Sequence, residues 1–185
     1  MPNQQSPITP ATCKRPISTI LFILSSFFMA TGCHSSPKQP IEIDTTRYVS
    51  AGDNFPIASI SNLKGETVNL HNPDKNKVVI LFATWCHDSN RLIKALEKTQ
   101  ILKDNNIEVI AISKMESSNT VNAWQKDNNI KTQLALDTTG EIYKQFALTG
   151  LPRIVTIGKD NTVISSELAD DANPKKQLAK IIWTL

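Results

Sequence analysis

From about residue 51 onward the chain alternates short, continuous apolar runs with stretches whose apolar positions recur every three or four residues. Val78 to Ala83 is unbroken by a polar residue, as a strand covered on both faces requires, and Ile107 to Ile112, with only Glu108 polar, is a second apolar strand. Between them a helix is expected from about Ser89 to Asp104, with Leu92, Ile93, Leu96 and Leu102 inward. Ile57–Ile60 and Thr67–Leu70 flank the turn-like Asn62–Glu66 and predict a small hairpin. Ser117-Ser118-Asn119 can cap a helix carrying Val121, Ala123 and Trp124. Gln133–Leu136 predicts a short extended piece, Gly140–Phe146 a short helix, and Arg153–Ile157 and Thr162–Ser166 two strands around the turn at 158–161. Pro174 opens a terminal helix through Leu178, Ile181 and Ile182, and Trp124 and Trp183 fall on apolar helical faces. Strands alternating with helices predict an α/β sandwich with a mixed sheet.

The first fifty residues follow another pattern. Lys14-Arg15 precedes an apolar and small-residue run from Ile17 to Ala30, too short for an easy membrane span and followed by small residues, as in an export signal. Ala30-Thr31-Gly32-Cys33 resembles a bacterial lipobox, with Ala30 where leucine is usual. The resemblance implies a signal peptide over 1–32 and lipidation of Cys33, which would anchor the chain firmly, since two acyl chains already suffice. His34 rather than Asp after that cysteine is associated in such lipoproteins with the outer membrane. Residues 33–50, opening on the polar stretch Ser35-Ser36-Pro37-Lys38-Gln39-Pro40, read as a polar tether, which leaves 51–185 as one domain.

Charge adds little. Twenty Lys and Arg face 17 Asp and Glu; without Lys14 and Arg15 the excess is 18 against 17, or +1. No basic stripe is present, so nucleic acid is not an expected partner. Of the three cysteines, Cys13 lies in the expected signal and Cys33 at the expected lipid site. Cys86 would be the one free thiol of the mature protein, with no intramolecular disulfide open to it.

Cys86 stands where the run 78–83 ends and the helical pattern begins. The first N–H groups of a helix and its dipole favour thiolate over thiol, and the thiolate is the nucleophile. Against this stands the ordinary fate of a free cysteine, inert burial. Trp85 would shield one side of the site or simply pack. His87 would promote ionisation if it faced the sulfur and Asp88 would oppose it, or both are solvated residues of the first turn. Arg153 could guide an acidic substrate or merely lie at a strand edge. Metal binding is not expected, because only Cys86 and His87 of the thiols and imidazoles are close in sequence. No phosphate-cradling loop or Ser-His-Asp order is present, and no cofactor is called for.

Phe82-Ala83-Thr84-Trp85-Cys86, the hairpin before it, Asp137-Thr138-Thr139-Gly140 with Tyr143 and Phe146, Gly150-Leu151-Pro152 and Gly158–Val163 together resemble the TlpA/ResA/DsbE group of exported thioredoxin-like proteins. The resemblance implies a three-layer α/β sandwich, a mixed central sheet flanked by helices with an N-terminal β-hairpin, over 51–185. It implies a cis proline at Pro152 facing Cys86, with the backbone of Leu151 pairing with an extended substrate. The chain departs from the group at Ser89, where the resolving cysteine would stand, at His87-Asp88, and in lacking an acid on the strand 78–83 that could relay a proton.

These observations lead to a membrane-tethered monothiol exchanger in the cell envelope. Cys86 would exchange with exported proteins that carry cysteines or disulfides, and an external thiol or reductant would complete turnover. The alternative is a redox-inactive thioredoxin-fold module that holds an exported partner. A one-cysteine peroxidase ranks below both, since Thr84 lacks the usual peroxidase spacing.

Overall fold

The computed structural model describes residues 47–169 and 173–184, with the side chains of 182–184 outside the description. The expected signal peptide, Cys13, the expected lipidation site Cys33, His34, the first part of the expected tether and the side chain of Trp183 lie outside the described residues.

Among the described residues, seven strands and four α-helices follow in chain order: β1 Ser59–Ser61, β2 Thr67–Asn69, β3 Asn76–Phe82, α1 His87–Leu96, β4 Ile107–Lys114, α2 Ser118–Asp127, β5 Gln133–Asp137, α3 Glu141–Lys144, β6 Arg153–Ile157, β7 Val163–Leu168 and α4 Pro174–Thr184. β1 and β2 form a separate antiparallel hairpin with Ile60 opposite Val68. The main sheet has the order β5-β4-β3-β6-β7, with β3, β4 and β5 parallel and β6 and β7 antiparallel to their neighbours. The mixed sheet between two layers is the architecture the resemblance implied.

Side chains alternate across a strand, so β3 feeds both layers. Val78, Ile80 and Phe82 pack with Leu92, Ile93 and Leu96 of α1, Val121 of α2 and Leu178 and Ile181 of α4. Val79 and Leu81 pack with Phe55, Val68 and Leu70 of the hairpin side and Tyr143 and Phe146 around α3. With a core on each face, β3 is pinned at the centre, and its C-terminal end delivers Cys86.

Several expected bounds shift. α1 begins at His87, with Cys86 itself as the extended N-cap, and ends at Leu96 rather than near Asp104. The Thr99 hydroxyl takes the carbonyl of Leu96 at 2.7 Å, and the chain tightens into i→i+3 turns before a 3-10 turn at Ile101–Lys103. β3 starts two residues early and draws Lys77 fully inside. Lys77 Nζ donates to the carbonyls of Asn72 at 3.0 Å and Gly158 at 2.9 Å, and burial lowers its pKa, opposed by the charge of Asp160. β4 and β7 each run two residues beyond the expected ends. Ala123 is exposed on α2, whose inward residues are Val121 and Trp124. Residues 47–50, expected in the tether, are docked on the domain. Val49 N–H donates to the carbonyl of Gln145 at 2.8 Å, and Ser50 N–H to the Asp53 carboxylate at 2.9 Å.

Candidate active site

At the N-terminal end of α1 the chain leaves β3 through Ala83-Thr84-Trp85 and turns into the helix at Cys86. Cys86 N–H donates to the Ala83 carbonyl at 3.1 Å and the Cys86 carbonyl receives Asn90 N–H at 3.0 Å, which opens the helical ladder. No side chain caps this end, so the first-turn N–H groups are not taken up by a capping residue. Cys86 is half-buried, the only free cysteine among the described residues, and its Sγ lies 3.7 Å from the carbonyl oxygen of Leu151.

The Leu151–Pro152 bond is cis, and the Leu151 carbonyl before it lies beside the sulfur although 65 positions separate Leu151 from Cys86 in sequence. Two devices hold this loop. Gly150 has φ 95°, a conformation closed to most side chains, and the Leu168 side chain lies 2.9 Å from where a Cβ would be. The hydroxyl of Tyr143 donates to the Gly150 carbonyl at 2.7 Å. Burial raises the Tyr143 pKa, and the Lys114 ammonium sits 3.7 Å from its ring centroid. Tyr143 is itself anchored through its N–H to the Asp137 carboxylate at 2.8 Å.

The other expected residues divide. Trp85, the residue before Cys86, is 73% exposed, so its ring is an open apolar face rather than packing. The His87 side chain is 81% exposed and its Nδ1 lies 3.4 Å from Asp88. Asp88 also lies 3.9 Å from Arg91, so both residues belong to the outer first turn. Ser89 is fully buried and receives the Ala83 N–H at 3.4 Å through its hydroxyl. The position of a second cysteine is therefore filled by a hydroxyl under the helix. Arg153 is half-buried and turned along the sheet, its Nη1 donating to the Ser166 carbonyl at 3.2 Å. Among the described residues no three His, Cys, Asp or Glu side chains converge as a metal site would need.

Two residues escaped the sequence reading. Glu116, just past β4, reaches across to the nucleophile loop: its Oε2 accepts the Thr84 N–H at 2.8 Å and its Oε1 accepts the Thr84 hydroxyl. An acid is thus present at the site although β3 carries none. Asn90, one turn into α1, donates through Nδ2 to the carbonyls of Thr84 at 2.7 Å and Cys86 at 2.8 Å and accepts Trp124 Nε1–H at 2.7 Å. The only signal for Glu116 in the sequence is its place after the second core strand, at the same sheet edge as Cys86.

A β-hairpin, a five-stranded mixed sheet between helices, a cysteine at the opening of the first helix and, beside it, the carbonyl of the residue before a cis proline define a thioredoxin-like protein. The model of the AhpC/TSA family matches residues 51–166, and the chain belongs to that family. Among curated proteins, the thiol-disulfide oxidoreductase ResA of Bacillus thuringiensis subsp. konkukian is 29% identical over 116 residues, 61% of this chain and 66% of the relative. The chain thus matches just under two thirds of that protein's length. Among solved structures, a secreted disulfide oxidoreductase of Mycobacterium tuberculosis homologous to E. coli DsbE shares 15% identity at TM-score 0.58, covering 69% of this chain and 95% of that one. A peroxiredoxin-like protein of Aquifex aeolicus shares 14% at TM-score 0.62, covering 75% and 90%. These structural likenesses establish the fold, and the ResA and DsbE relatives are of the type the motifs resembled.

Proposed function

We propose that this protein performs thiol–disulfide exchange through Cys86 alone, on cysteine-bearing proteins of the cell envelope. The observation that carries this is the half-buried Sγ at the opening of α1, 3.7 Å from the Leu151 carbonyl, with the exposed Trp85 next to Cys86 in the chain. The Cys86 thiolate would attack one sulfur of a partner disulfide. A bond forms between Cys86 and that sulfur, the partner's S–S bond breaks, and the released partner thiolate takes up a proton. With Ser89 in place of a second thiol, the mixed disulfide waits for a thiol from outside. If a third thiol of the same partner attacks the partner sulfur, Cys86 leaves as thiolate and the partner's disulfide is moved with no net redox change. If two small external thiols act in turn, the partner is reduced and the small thiols end as a disulfide. Leu151 would offer its backbone to the extended partner, and Trp85 would cover the apolar side chain next to the partner's cysteine. The signal-like segment and Cys33 fit a lipid-anchored protein of the envelope, which mass spectrometry of the membrane fraction would test through the mature N-terminus.

The experiment is insulin reduction and scrambled-ribonuclease reactivation in a glutathione buffer, with Cys86→Ser as control. Activity in the wild type that is absent in the variant supports the proposal. Equal, background activity in both would overturn it.

A second reading has one observation in its favour. Ser89 is fully buried and its hydroxyl serves Ala83 N–H, so the site is built without a resolving group. A module that only holds a partner in the same groove would show partner binding undiminished in Cys86→Ser. Peroxide reduction has less behind it, since the Thr84 hydroxyl is donated to Glu116.

A further inference from the structure

The three residues before Cys86 lie outside any strand or helix, yet Thr84 has no free polar group. Glu116 takes its N–H at 2.8 Å and its hydroxyl, and Asn90 Nδ2 takes its carbonyl at 2.7 Å. The same Asn90 amide holds the Cys86 carbonyl at 2.8 Å and is oriented by Trp124 Nε1–H at 2.7 Å. Glu116 immediately precedes Ser117, the N-cap of α2, and Trp124 lies within that helix. One unit therefore grips the nucleophile loop from both sides, by a carboxylate at one end and an indole at the other.

The chain accepts a cost to bring Glu116 there. Met115 adopts φ 57°, a left-handed conformation that a non-glycine residue rarely takes outside a functional or strongly determined site. Its N–H donates to the Asp137 carbonyl at 2.8 Å, which ends β4 and turns Glu116 back over the sheet edge. Glu116 Oε2 also receives the Ser113 hydroxyl at 2.5 Å, so the carboxylate is fixed from its own strand as well. Hydrogen bonds to a carboxylate are shorter and roughly twice as strong as neutral ones.

We propose that Glu116 is a positioning residue for the exchange reaction: by holding Thr84 through N–H and hydroxyl together, its carboxylate fixes the Cys86 sulfur in its place before Leu151. Cys86 follows Thr84 by two residues, within about 7 Å of extended chain, so a loosened Thr84 moves the sulfur directly. A misplacement of about 1 Å at a reacting atom can cost up to about a hundredfold in rate. The inference rests on the exchange activity proposed above.

The test measures, on the full chain, the rate of mixed-disulfide formation with glutathione disulfide at Cys86, the rate of its alkylation by iodoacetamide, and the urea midpoint. Glu116→Met keeps the length and removes the acceptors; it should slow exchange about tenfold per folded molecule. Glu116→Gln should restore the rate, because an amide oxygen can take the Thr84 N–H while the amide nitrogen donates to the Thr84 oxygen. Failure of Gln to rescue would mean that the charge acts directly, and the positioning role falls. So does a Glu116→Met that exchanges at the wild-type rate, or one whose only change is the urea midpoint. Should Glu116→Met not fold, Thr84→Val against Thr84→Ser decides, with slowing expected in the first alone and equal rates overturning the inference. If the wild type forms no mixed disulfide, the exchange proposal has failed by itself. The alkylation rates of the same variants then still report whether Glu116 places the sulfur.

Discussion

The hydroxyl of Ser89 and the sulfur of Cys86 differ in what surrounds them. One is buried and hydrogen-bonded to Ala83 N–H, the other stands at the rim. Replacing Ser89 by cysteine exchanges one buried atom for a slightly larger one, three residues along the first turn, where the two sulfurs can meet. Ser89→Cys should form a reversible disulfide with Cys86 under mild oxidation, seen as the loss of two hydrogens in the mass of the peptide and as thiols that reappear with dithiothreitol. It should also raise insulin reduction, since the introduced thiol can release the partner. Two free thiols persisting after oxidation would show that the turn does not bring these positions together. His87 and Asp88 face outward and toward each other, so His87→Ala should leave the exchange rate within about twofold. A larger loss would place the imidazole in the reaction after all.

The contact between α1 and α2 depends on a single polar pair inside an apolar seam. Trp124 packs on Phe82 with ring centroids 5.4 Å apart while its Nε1–H meets Asn90 Oδ1. Trp124→Phe keeps the ring packing and leaves the Asn90 oxygen without its donor. It should cost about 1 kcal/mol, read as a lower urea midpoint. No change in midpoint would mean that water replaces the indole at no cost. These elements also mark how far the sequence could be read. β3 and β4 were legible because short apolar runs rich in Val and Ile have one good use, a strand covered on both faces. The site residues that were legible, Cys86 and Pro152, sit at element ends with motifs around them. Asn90 and Glu116 were not, because one polar residue in a helical turn and one acid after a strand look like solvated surface until topology sets β3 beside β4. The overlong helix at 89–104 came from apolar spacing that continues past Leu96, while Thr99 turns back to its own backbone. Lys77 was left outside β3 for a similar reason. Two carbonyls, one from Asn72 just upstream and one from the distant Gly158 turn, make a buried ammonium tolerable there.

Across the whole molecule, two aspartates near the N-terminal strap and the β6–β7 turn are held ionised by local hydrogen bonds. The Asp53 pKa is lowered chiefly by Ser50 N–H, with the Arg47 guanidinium adding to it, and that of Asp160 by Thr162 N–H and hydroxyl. Groups with depressed folded pKa values stabilise the fold above their unfolded value, about 3.9, and that contribution is lost as pH falls through the folded values below it. The urea midpoint should therefore drop on acidification below about pH 4, and the double variant Asp53→Asn, Asp160→Asn should show a shallower drop. A parallel curve would place the acid-sensitive groups elsewhere. Lys77 acts in the other direction. Its folded pKa lies below the unfolded one, so the cost of burying the ammonium is fully present below the folded pKa and is relieved as pH rises from there toward about 10.4.

The most direct measurement treats the full chain with glutathione disulfide at neutral pH and maps the adduct by mass spectrometry on the peptide from Val78 to Arg91, which holds Cys86 and no other cysteine. One glutathione on that peptide, removed by dithiothreitol and absent in Cys86→Ser, is the predicted result. A peptide that stays unmodified in the folded protein while the unfolded chain reacts readily would contradict the account.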